Sequence, residues 1–406
     1  MKIAFCSDNH IGLRFNYLFD TITGISKRSL DFIDATETIV HKAIEEDCKI
    51  FVIGGDFYEH LQVGPTVRKL VRQKIIGPIM QAGLKLIIIG GNHDSPQSLQ
   101  KGAPYEDFSI IPGVVIARKP GRKVIEVEGK KYGFVLLPYL SPSQLISVLE
   151  KQFGKLPRNE WLRSAQNLMR SIVDKNINDL ENQNCDHKFI VGHYYISGSK
   201  IRETNSPEYL PGEFEFKKEM LALDRIDLAV FGHIHLHQSM EQGKIVVPGS
   251  TERNDFGEKD DPKGFIIYDT DSSSWKHIEI SVRNLVYLKL AVGDGDMAPT
   301  QSLLEKIPTG LTDSVVRVDI ETSKAQRHLI DLAKLDIKLQ DAFYHEYRWT
   351  LKEVIQEQAI LETFTLDPFS LFDDFINTNF ANHELKELLL KKGGEILDQE
   401  LKRVEE

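Results

Sequence analysis

Short apolar segments of β-type residues alternate with helical patterns through the first part of this 406-residue chain. The strand-like segments are Ile3–Cys6, Ile50–Ile53 and Leu84–Ile89, and the apolar spacing predicts helices over Asp31–Glu46 and Thr66–Gln81. Strands that alternate with helices in this way are typical of βαβ units. This pattern constrains the chain to the α/β class more strongly than any other feature of the sequence.

The middle of the chain extends the same pattern. A helix-rich stretch runs from Pro142 to about Leu180, and strands are predicted at Lys188–Val191 and Leu228–Phe231. Residues 245–280 are β-like. The polar segment Ser197–Gly212 contains two glycines and two prolines, which predict a long loop.

A second, smaller unit is predicted to begin near Val282. Strand, helix, strand, helix and strand patterns follow at residues 286–292, 300–307, 314–320, 324–335 and 342–350. The chain then ends in two helical stretches, His383–Lys392 and Glu395–Val404, which Gly393 and Gly394 separate. The predicted domains are therefore 1–281, 282–350 and a helical tail of 351–406.

Five of the predicted strands end in polar residues of one chemical kind. In chain order these residues are Asp8 and His10, Asp56, then Asn92, His93 and Asp94, then His193, and finally His233 and His235. Ligands of α/β sheets bind in the crevice outside the carboxyl ends of the strands, so we expect these side chains to meet there.

The donor atoms of this set are oxygen and nitrogen without sulfur. Such a mixture suits manganese, iron or zinc better than magnesium or calcium, which favour shells made only of oxygen. The set contains two aspartates, one asparagine and four or five histidines, and seven ligands are too many for one open site. They fit a two-metal centre in which a carboxylate bridges ions about 3.5–4 Å apart and a bound water is deprotonated as the nucleophile. The chemistry that such a centre favours is hydrolysis of a phosphoester.

The charge balance argues against a nucleic-acid binder at first sight. The chain has 60 acidic and 50 basic side chains and a net charge of -10, whereas nucleic-acid binders usually carry a basic surface. The tail, however, contains 13 acidic and 6 basic residues, so the remaining 350 residues carry a net charge of only -3. Most of the acidic excess therefore belongs to a segment that need not contact a polyanion.

Cysteine content and hydropathy restrict the compartment. Three scattered cysteines argue against a disulfide framework and against a cysteine zinc site. The longest apolar stretches, such as Leu84–Ile89, fall far short of the roughly 18 residues of a membrane span, and no signal-peptide pattern precedes the first strand. We expect a soluble, cytoplasmic, nucleoid-associated protein that does not bind membranes.

Each motif has an ordinary structural alternative when it is considered alone. An aspartate after a strand is often a cap, and the segment from Gly54 to Tyr58 resembles a plain strand-to-loop turn. The sequence Gly-Asn-His-Asp at 91–94 is more specific. What favours a metal centre is that all the motifs occur together, in order, each at the end of a strand.

In this order the motifs resemble those of the calcineurin-like metallophosphoesterase superfamily, which are D-x-H, GD, GNH[DE], H and G-H-x-H. The resemblance implies a two-sheet β-sandwich flanked by helices. It also implies one metal ion held by Asp8, His10, Asp56 and His235 and a second held by Asp56, Asn92, His193 and His233. His93 is then the histidine that stabilises the transition state, and Asp94 orients it.

Further details resemble the SbcD and meiotic-recombination-eleven nucleases of double-strand-break repair. They are the segments Gly-Asn-His-Asp-Ser-Pro at 91–96, Gly-His-Ile-His followed by Gln238, and Pro-Gly-Ser-Thr-Glu-Arg at 248–253. This resemblance implies a manganese-dependent DNA endonuclease and 3′ to 5′ exonuclease with two metal ions per chain. A small α/β capping domain and a helical tail that binds a coiled-coil SMC-like ATPase of the SbcC type are also implied.

Three further expectations follow from the resemblance. The chain should form a homodimer through Thr66–Gln81 and the segment from about Pro96 to Phe108. Contacts to DNA phosphates are expected from basic residues that neighbour a motif or lie on the long loop, namely Arg14, Lys200, Arg202 and Arg253. The apolar positions of the tail are expected to dock on another surface, because such short helices cannot form a core alone.

Two other functions stay open at the level of the sequence. The first is a metallophosphatase or phosphodiesterase that acts on small phosphoesters. The second is a non-catalytic scaffold that tethers DNA or an ATPase. Serine/threonine phosphatases match less well, because their second motif continues into Asp-Arg-Gly whereas Asp56 is followed here by Phe57 and Tyr58.

Overall fold

The computed structural model describes residues 1–15, 17–96, 101–154, 157, 160–201, 214–352, 368–379 and 386–405. Two compact units are present, residues 1–351 and residues 352–406. The strands of the described residues are β1 (Lys2–Cys6), β2 (Cys48–Ile53), β3 (Lys85–Ile89), β4 (Val114–Ala117), β5 (Gly121–Val127), β6 (Lys130–Leu137), β7 (His187–His193), β8 (Leu228–Gly232), β9 (Gln238–Met240), β10 (Ile245–Val247), β11 (Gly264–Asp269), β12 (Ser274–Glu279), β13 (Leu285–Ala291), β14 (Val315–Ser323) and β15 (Tyr344–Lys352).

Two six-stranded mixed sheets form the body of the first unit. The first sheet has the strand order β12-β11-β1-β2-β3-β4, and its strands β1 to β4 run parallel. The second sheet has the order β5-β6-β7-β8-β10-β9, with β6, β7 and β8 parallel. Strands β4, β5 and β6 were not predicted. The one element expected between residues 90 and 141 was a dimer segment at about Pro96–Phe108, where the described residues form a 3₁₀ helix at Pro104–Phe108.

The two sheets pack face to face because their strands are apolar on both sides. In β1, Ile3 and Phe5 lie in the core between the sheets, whereas Ala4 and Cys6 lie in the core beneath the helices. Successive strand residues point to opposite faces, so a continuous apolar run supplies both cores. The result is a four-layer arrangement, helix, sheet, sheet, helix, which confirms the predicted fold class.

The helices of the described residues are α1 (Lys27–Glu45), α2 (Pro65–Val71), α3 (Gly77–Gln81), α4 (Pro142–Phe153), α5 (Trp161–Asn182), α6 (Pro299–Lys306), α7 (Lys324–Arg327), α8 (Leu332–Lys338), α9 (Pro368–Asn379) and α10 (Lys386–Glu405). Helices α1 to α3 cover the outer face of the first sheet, and α4 and α5 cover the second.

A π-helical turn at Arg72–Ile76 joins α2 and α3. Its last hydrogen bond runs from the main-chain N–H of Gly77 to the carbonyl of Arg72, five residues earlier. Pro78 follows and has no N–H to donate, so the regular hydrogen-bond ladder is interrupted at this point. The predicted helix Thr66–Gln81 therefore exists, but as two α-helical segments with a π turn between them.

A third sheet of three strands, ordered β13-β14-β15, closes the first unit. With α6 and α8 it encloses a small core of its own that includes Leu303, Val318 and Leu335. The single helix predicted over 324–335 is instead two short helices, α7 and α8. Helix α8 has its own N-cap, because the carboxylate of Asp331 accepts the main-chain N–H of Ala333.

The tail unit contains α9 and α10. Helix α10 runs through Gly393 and Gly394 without a break, so the prediction of two helices separated by these glycines was wrong. A side chain at Gly393 would collide with the ring of Phe372 on α9. The glycine therefore lets the two helices approach closely, and it does not end a helix. Helix α9 was not predicted from the sequence.

Among the helices of the described ranges, none combines the length and the apolar composition that crossing a bilayer requires.

Candidate metal centre

The predicted ligands meet at one end of the sandwich. Strands β1, β2 and β3 are neighbours in the first sheet, and β7 and β8 are neighbours in the second. The carboxyl ends of all five strands carry the predicted residues. The sheets are tied together at this point, because the main-chain N–H of His233 donates to both carboxylate oxygens of Asp8, at 3.0 and 3.2 Å.

The first group of ligands contains Asp8, His10 and His235, whose donor atoms all lie within 4.8 Å of one another. The Nε2 atoms of His10 and His235 are 3.1 Å apart. Each ring donates from Nδ1 to a glutamate, His10 to Glu59 at 2.6 Å and His235 to Glu258 at 2.8 Å. Both Nε2 atoms of the neutral rings therefore carry a lone pair that is directed toward the shared space.

This arrangement fits a divalent cation. Two lone pairs that face each other across 3.1 Å repel, and a metal ion between them converts the repulsion into two bonds. Histidine ligands usually donate their other ring N–H to a carboxylate or a carbonyl, which fixes the tautomer and the ring orientation. Glu59 and Glu258 provide such carboxylates.

The second group surrounds His193. Its Nδ1 lies 2.8 Å from the carbonyl oxygen of Gly54, to which it donates, so Nε2 faces the ligands. That Nε2 lies 3.1 Å from Oδ2 of Asp56 and 3.0 Å from Oδ1 of Asn92. The same Asn92 oxygen lies 2.9 Å from Nδ1 of His233. All four residues predicted for a second metal ion are thus brought together.

Asp56 lies between the two groups. Besides its contact with His193, its Oδ2 lies 4.0 Å from Nε2 of His10, which belongs to the first group. Burial would raise the pKa of Asp56, but His193 and then His10 hold that pKa well below its usual range. The carboxylate is therefore ionised and faces both groups, which is the position that a bridging ligand requires.

The backbone is strained at four of these residues. Asp8, His10, Asp56 and His233 all have positive φ, at 53°, 45°, 48° and 93°. Residues other than glycine seldom adopt this region, which costs roughly 1–3 kcal/mol each, and such strain clusters at functional sites. Gly91 permits a related close approach, because a Cβ atom there would collide with the Asp56 carboxylate.

His93 is the exposed member of the cluster, with 39% of its side chain accessible. Its ring packs edge-on against His10, and its Nδ1 lies 3.4 Å from Oε2 of Glu59. Burial would lower the pKa of His93, but Glu59 and then Asp56 raise it to about 9. The ring therefore stands at the open side of the metal-ligand cluster, and its donor nitrogen lies within 4.8 Å of the donor atoms of His10 and Asp56.

Asp94 does not contact the His93 ring. Its two oxygens accept main-chain N–H groups, from Gly91 at 2.8 Å and from Tyr58 at 3.2 Å. The prediction that Asp94 orients the ring of His93 does not match this geometry, and Glu59 is the carboxylate within ion-pair distance. Asp94 instead holds the main chain on both sides of the site. Burial and then the nearby Asp56 raise the pKa of Asp94 to about 7.

A buried charge network supports His235 from behind. Oε2 of Glu258 accepts from Lys263 Nζ at 2.6 Å, from the hydroxyl of Ser250 at 3.1 Å and from the main chain of Asn254 at 3.2 Å. The side chains of Glu258 and Lys263 are 3% and 0% exposed. Burial would raise the pKa of Glu258, but Lys263 and then His235 keep it well below its ordinary value.

Three residues of this site were not predicted: Glu59, Glu258 and Lys263. A signal for Glu59 existed, because it lies three residues after Asp56 in a segment that already held a candidate ligand. Glu258 and Lys263 belong to a charged loop, where surface residues are the ordinary expectation.

The predicted DNA contacts divide into three cases. Arg14 and Lys200 are exposed, and their side chains make no ion pair with the residues that the structure describes. The guanidinium of Arg253 donates to the main-chain carbonyls of Glu258, Arg283 and Asp261 at 3.2, 2.9 and 3.2 Å. These bonds use three of its five N–H donors within the fold, and its role as a phosphate contact stays a prediction. Arg202 lies outside the described residues.

The sequence model of the calcineurin-like phosphoesterase family matches residues 1–237, which include the two ligand groups and His93. The chain belongs to this family. The ligand groups of the metallophosphoesterase centre are thus in place, and the donors are those of a metal-dependent phosphoester hydrolase.

Solved structures of low sequence identity resemble parts of this calcineurin-like phosphoesterase. A putative 5′-nucleotidase from Staphylococcus aureus is 16% identical with a TM-score of 0.40, over 69% of this chain and 53% of that protein. This chain therefore spans about half the length of the Staphylococcus protein. A dimetal phosphatase from Danio rerio is 10% identical with a TM-score of 0.36, over 66% of this chain and 91% of that protein.

Proposed function

We propose that this phosphoesterase is a two-metal, manganese-dependent DNA endonuclease and 3′ to 5′ exonuclease that acts in double-strand-break repair. The observation that carries the proposal is the convergence of two ligand groups on Asp56, with His93 at their open side. The narrower assignment to DNA is supported by the resemblance of the motifs to the SbcD and meiotic-recombination-eleven nucleases.

The motif resemblance implies the role of each residue, and the positions of the residues support these roles. Asp8, His10, Asp56 and His235 would hold one ion, and Asp56, Asn92, His193 and His233 would hold the other. Two bound ions would polarise a phosphodiester and make a water acidic enough to act as the nucleophile. His93 donates a proton, or a charged hydrogen bond, to the oxygen atom that gains negative charge. Oε2 of Glu59 lies near Nδ1 of both rings, at 3.4 Å from His93 and at 2.6 Å from His10.

Cleavage of labelled DNA tests the proposal. The full chain is incubated with Mn²⁺ and with single-stranded and double-stranded oligonucleotides, and bis(4-nitrophenyl) phosphate serves as a small diester for comparison. We expect DNA to be cut, and Asp56→Asn to abolish cleavage of DNA and of the small diester together. Turnover of the small diester without any cleavage of DNA would instead indicate a phosphodiesterase for small substrates.

The tail is proposed to bind an SMC-like coiled-coil ATPase of the SbcC type. Leu388 and Ile396 on α10 are 52% and 61% exposed, so the helix carries apolar surface. Co-expression of the full chain with a candidate ATPase, followed by purification of the complex, tests this partner. Replacing Leu388 and Ile396 by serine should abolish co-purification, whereas replacing the charged Lys391 of the same helix should not. Homodimer formation is tested by light scattering of the same samples.

A further inference from the structure

A cavity of about 240 Å³ lies beside the metal-ligand cluster in the first unit. Its walls come from the loop before α1 and from the segment that leads into α2. The apolar lining consists of Ile11, Phe15, Phe19, Ile25, Val63 and Val67. We call this space the loop cavity.

The loop cavity adjoins the metal ligands through paired main-chain segments. The N–H of His10 donates to the carbonyl of Asp56, and the N–H of Glu59 donates to the carbonyl of Ile11. Ile11 and Gly12 line the cavity one and two residues after the predicted ligand His10, and His60 lines it directly after Glu59. Two residues of chain span at most about 7 Å, so the cavity wall begins within that distance of a predicted ligand.

Residues 19–26 of the cavity wall are held by hydrogen bonds among themselves. The main chain of Phe19 pairs with that of Ser26. Oδ1 of Asp20 accepts from the N–H and from the hydroxyl of Thr23, both at 2.7 Å. These bonds hold Phe19 in place although 55% of this residue is exposed. An aromatic ring is therefore presented to solvent beside the metal-ligand cluster by a fixed backbone.

The chemistry of the lining fits a flat, partly apolar ligand that is attached to an anion. Phe19 offers aromatic surface on which a ring can stack, whereas Phe15 lines the cavity with a ring that already stacks on Phe32. Arg14 also lines the cavity and is exposed, and its guanidinium makes no ion pair within the described ranges. A nucleobase has a stacking face, and the phosphates that flank it match this cation.

We propose that the loop cavity binds one unpaired nucleobase of the strand that is cut, next to the scissile phosphate. This inference rests on the proposed nuclease function and deepens it, since it assigns the substrate as a strand whose base has left the stack. Unstacking a base costs free energy. Stacking the base on an aromatic side chain offsets about 1–3 kcal/mol of that cost. Cleavage should therefore favour single strands and frayed or mismatched ends over intact duplex.

A scan with abasic nucleotides tests the inference. Single-stranded oligonucleotides carry one abasic nucleotide at each position in turn around a defined cleavage site, and the full chain cuts them with Mn²⁺. We expect cleavage to fall about tenfold when the abasic nucleotide occupies one position next to the cut, as the loss of one stacked base implies. Phe19→Ala should remove this discrimination between normal and abasic strands. Ile22→Ala, on the same loop but outside the cavity lining, should retain it.

A binding measurement gives a second readout that does not depend on turnover. A phosphorothioate-protected strand carries the fluorescent base 2-aminopurine at the position that the scan identifies, and its fluorescence should be quenched on binding to the wild type. Equal cleavage of normal and abasic strands at every position would overturn the inference, and so would discrimination that Phe19→Ala leaves intact. If bis(4-nitrophenyl) phosphate is hydrolysed but no DNA is cut, the proposed nuclease function fails and the inference fails with it.

Discussion

Lys263 Nζ lies 2.6 Å from Oε2 of Glu258 in the protein interior, and the other oxygen of the same carboxylate accepts from His235. One buried ion pair thus determines how a predicted metal ligand is oriented. Removing one partner of such a pair leaves a buried charge without compensation, which costs about 3–5 kcal/mol. The two partners therefore support separate predictions.

Glu258→Gln is expected to weaken metal binding and also to destabilise the first unit, because Lys263 then stays buried without its nearest carboxylate. The amide keeps the shape of the side chain but loses the charge that holds the Nδ1 proton of His235. Loss of such a supporting carboxylate typically lowers metal affinity by about 10–100-fold. Calorimetric titration with Mn²⁺ measures the change, and Asp260→Asn, at an exposed carboxylate two residues away, is the matched control. Equal affinity in both variants would contradict the prediction.

Lys263→Met is expected to destabilise the first unit by about 3–5 kcal/mol, because Glu258 then stays buried without its cation. Denaturant unfolding followed by tryptophan fluorescence measures the difference. The double variant Lys263→Met, Glu258→Leu removes Lys263 and its nearer carboxylate partner and should recover part of the loss, while Asp261, whose carboxylate lies 3.7 Å from Nζ, stays unchanged. If the double variant is no more stable than Lys263→Met, the unpaired Glu258 carboxylate is not the source of the loss.

Glu59→Gln is expected to shift the pH dependence of catalysis through His93. Glu59 is the main group that raises the pKa of His93, to about 9, so the imidazolium is retained below that value and lost as the pH rises through it. Without the carboxylate, the alkaline limb of kcat/KM against pH should move to lower pH. Metal ions bound nearby oppose protonation of His93, so the alkaline limb lies below pH 9 in the metal-loaded wild type and in the metal-loaded variant. An unshifted limb would argue against this coupling.

His93→Ala is expected to abolish cleavage while the metal content stays nearly intact. His93 stands at the open side of the cluster, and it belongs to neither of the two predicted ligand sets. Metal analysis of the purified variant by mass spectrometry, together with a cleavage assay, distinguishes the two roles. Loss of a metal ion in this variant would identify His93 as a ligand.

Acid should destabilise the first unit through His277. Its ring stacks on His237 with centroids 4.0 Å apart, and burial followed by the neighbouring His237 lowers its pKa to about 4. The unfolded chain therefore binds a proton below about pH 6.5 that the folded protein does not bind until about pH 4. Stability is full above this window and falls as the pH decreases through it, with a slope of up to about 1.4 kcal/mol per pH unit. His277→Gln should reduce the slope of unfolding free energy against pH, whereas the exposed His328→Gln should not.

Two adjacent glycines of α10 should respond in opposite ways to alanine. At Gly393 a Cβ atom would collide with the ring of Phe372, whereas nothing lies within 4 Å of one at Gly394. Gly394→Ala should stabilise the helix by up to about 1 kcal/mol, because alanine is the better helix former. Gly393→Ala should loosen the packing of α9 on α10. Limited proteolysis of the tail distinguishes them, and equal protection in both variants would contradict the close approach at Gly393.

The sequence by itself determined the α/β class and the positions of the ligands. Each ligand follows an apolar strand, and parallel strands deliver their carboxyl ends to one edge, so local patterns were enough to bring Asp8, Asp56 and His193 together. The order of residues along the chain carried this information, because strand periodicity and strand ends are properties of short segments.

Only the tertiary structure decided which side chains support the ligands and which charged side chains are hydrogen-bonded within the fold. Glu258 reaches His235 over a separation of 23 residues, and Arg253 is held by the carbonyl of Arg283, 30 residues later in the chain. Helix α10 likewise runs through Gly393, where a ring on another helix packs too closely for a side chain. Such contacts depend on sheet register and helix packing, which bring together residues that are far apart in the sequence. No short sequence pattern therefore distinguishes a charged loop residue that becomes buried from one that stays at the surface.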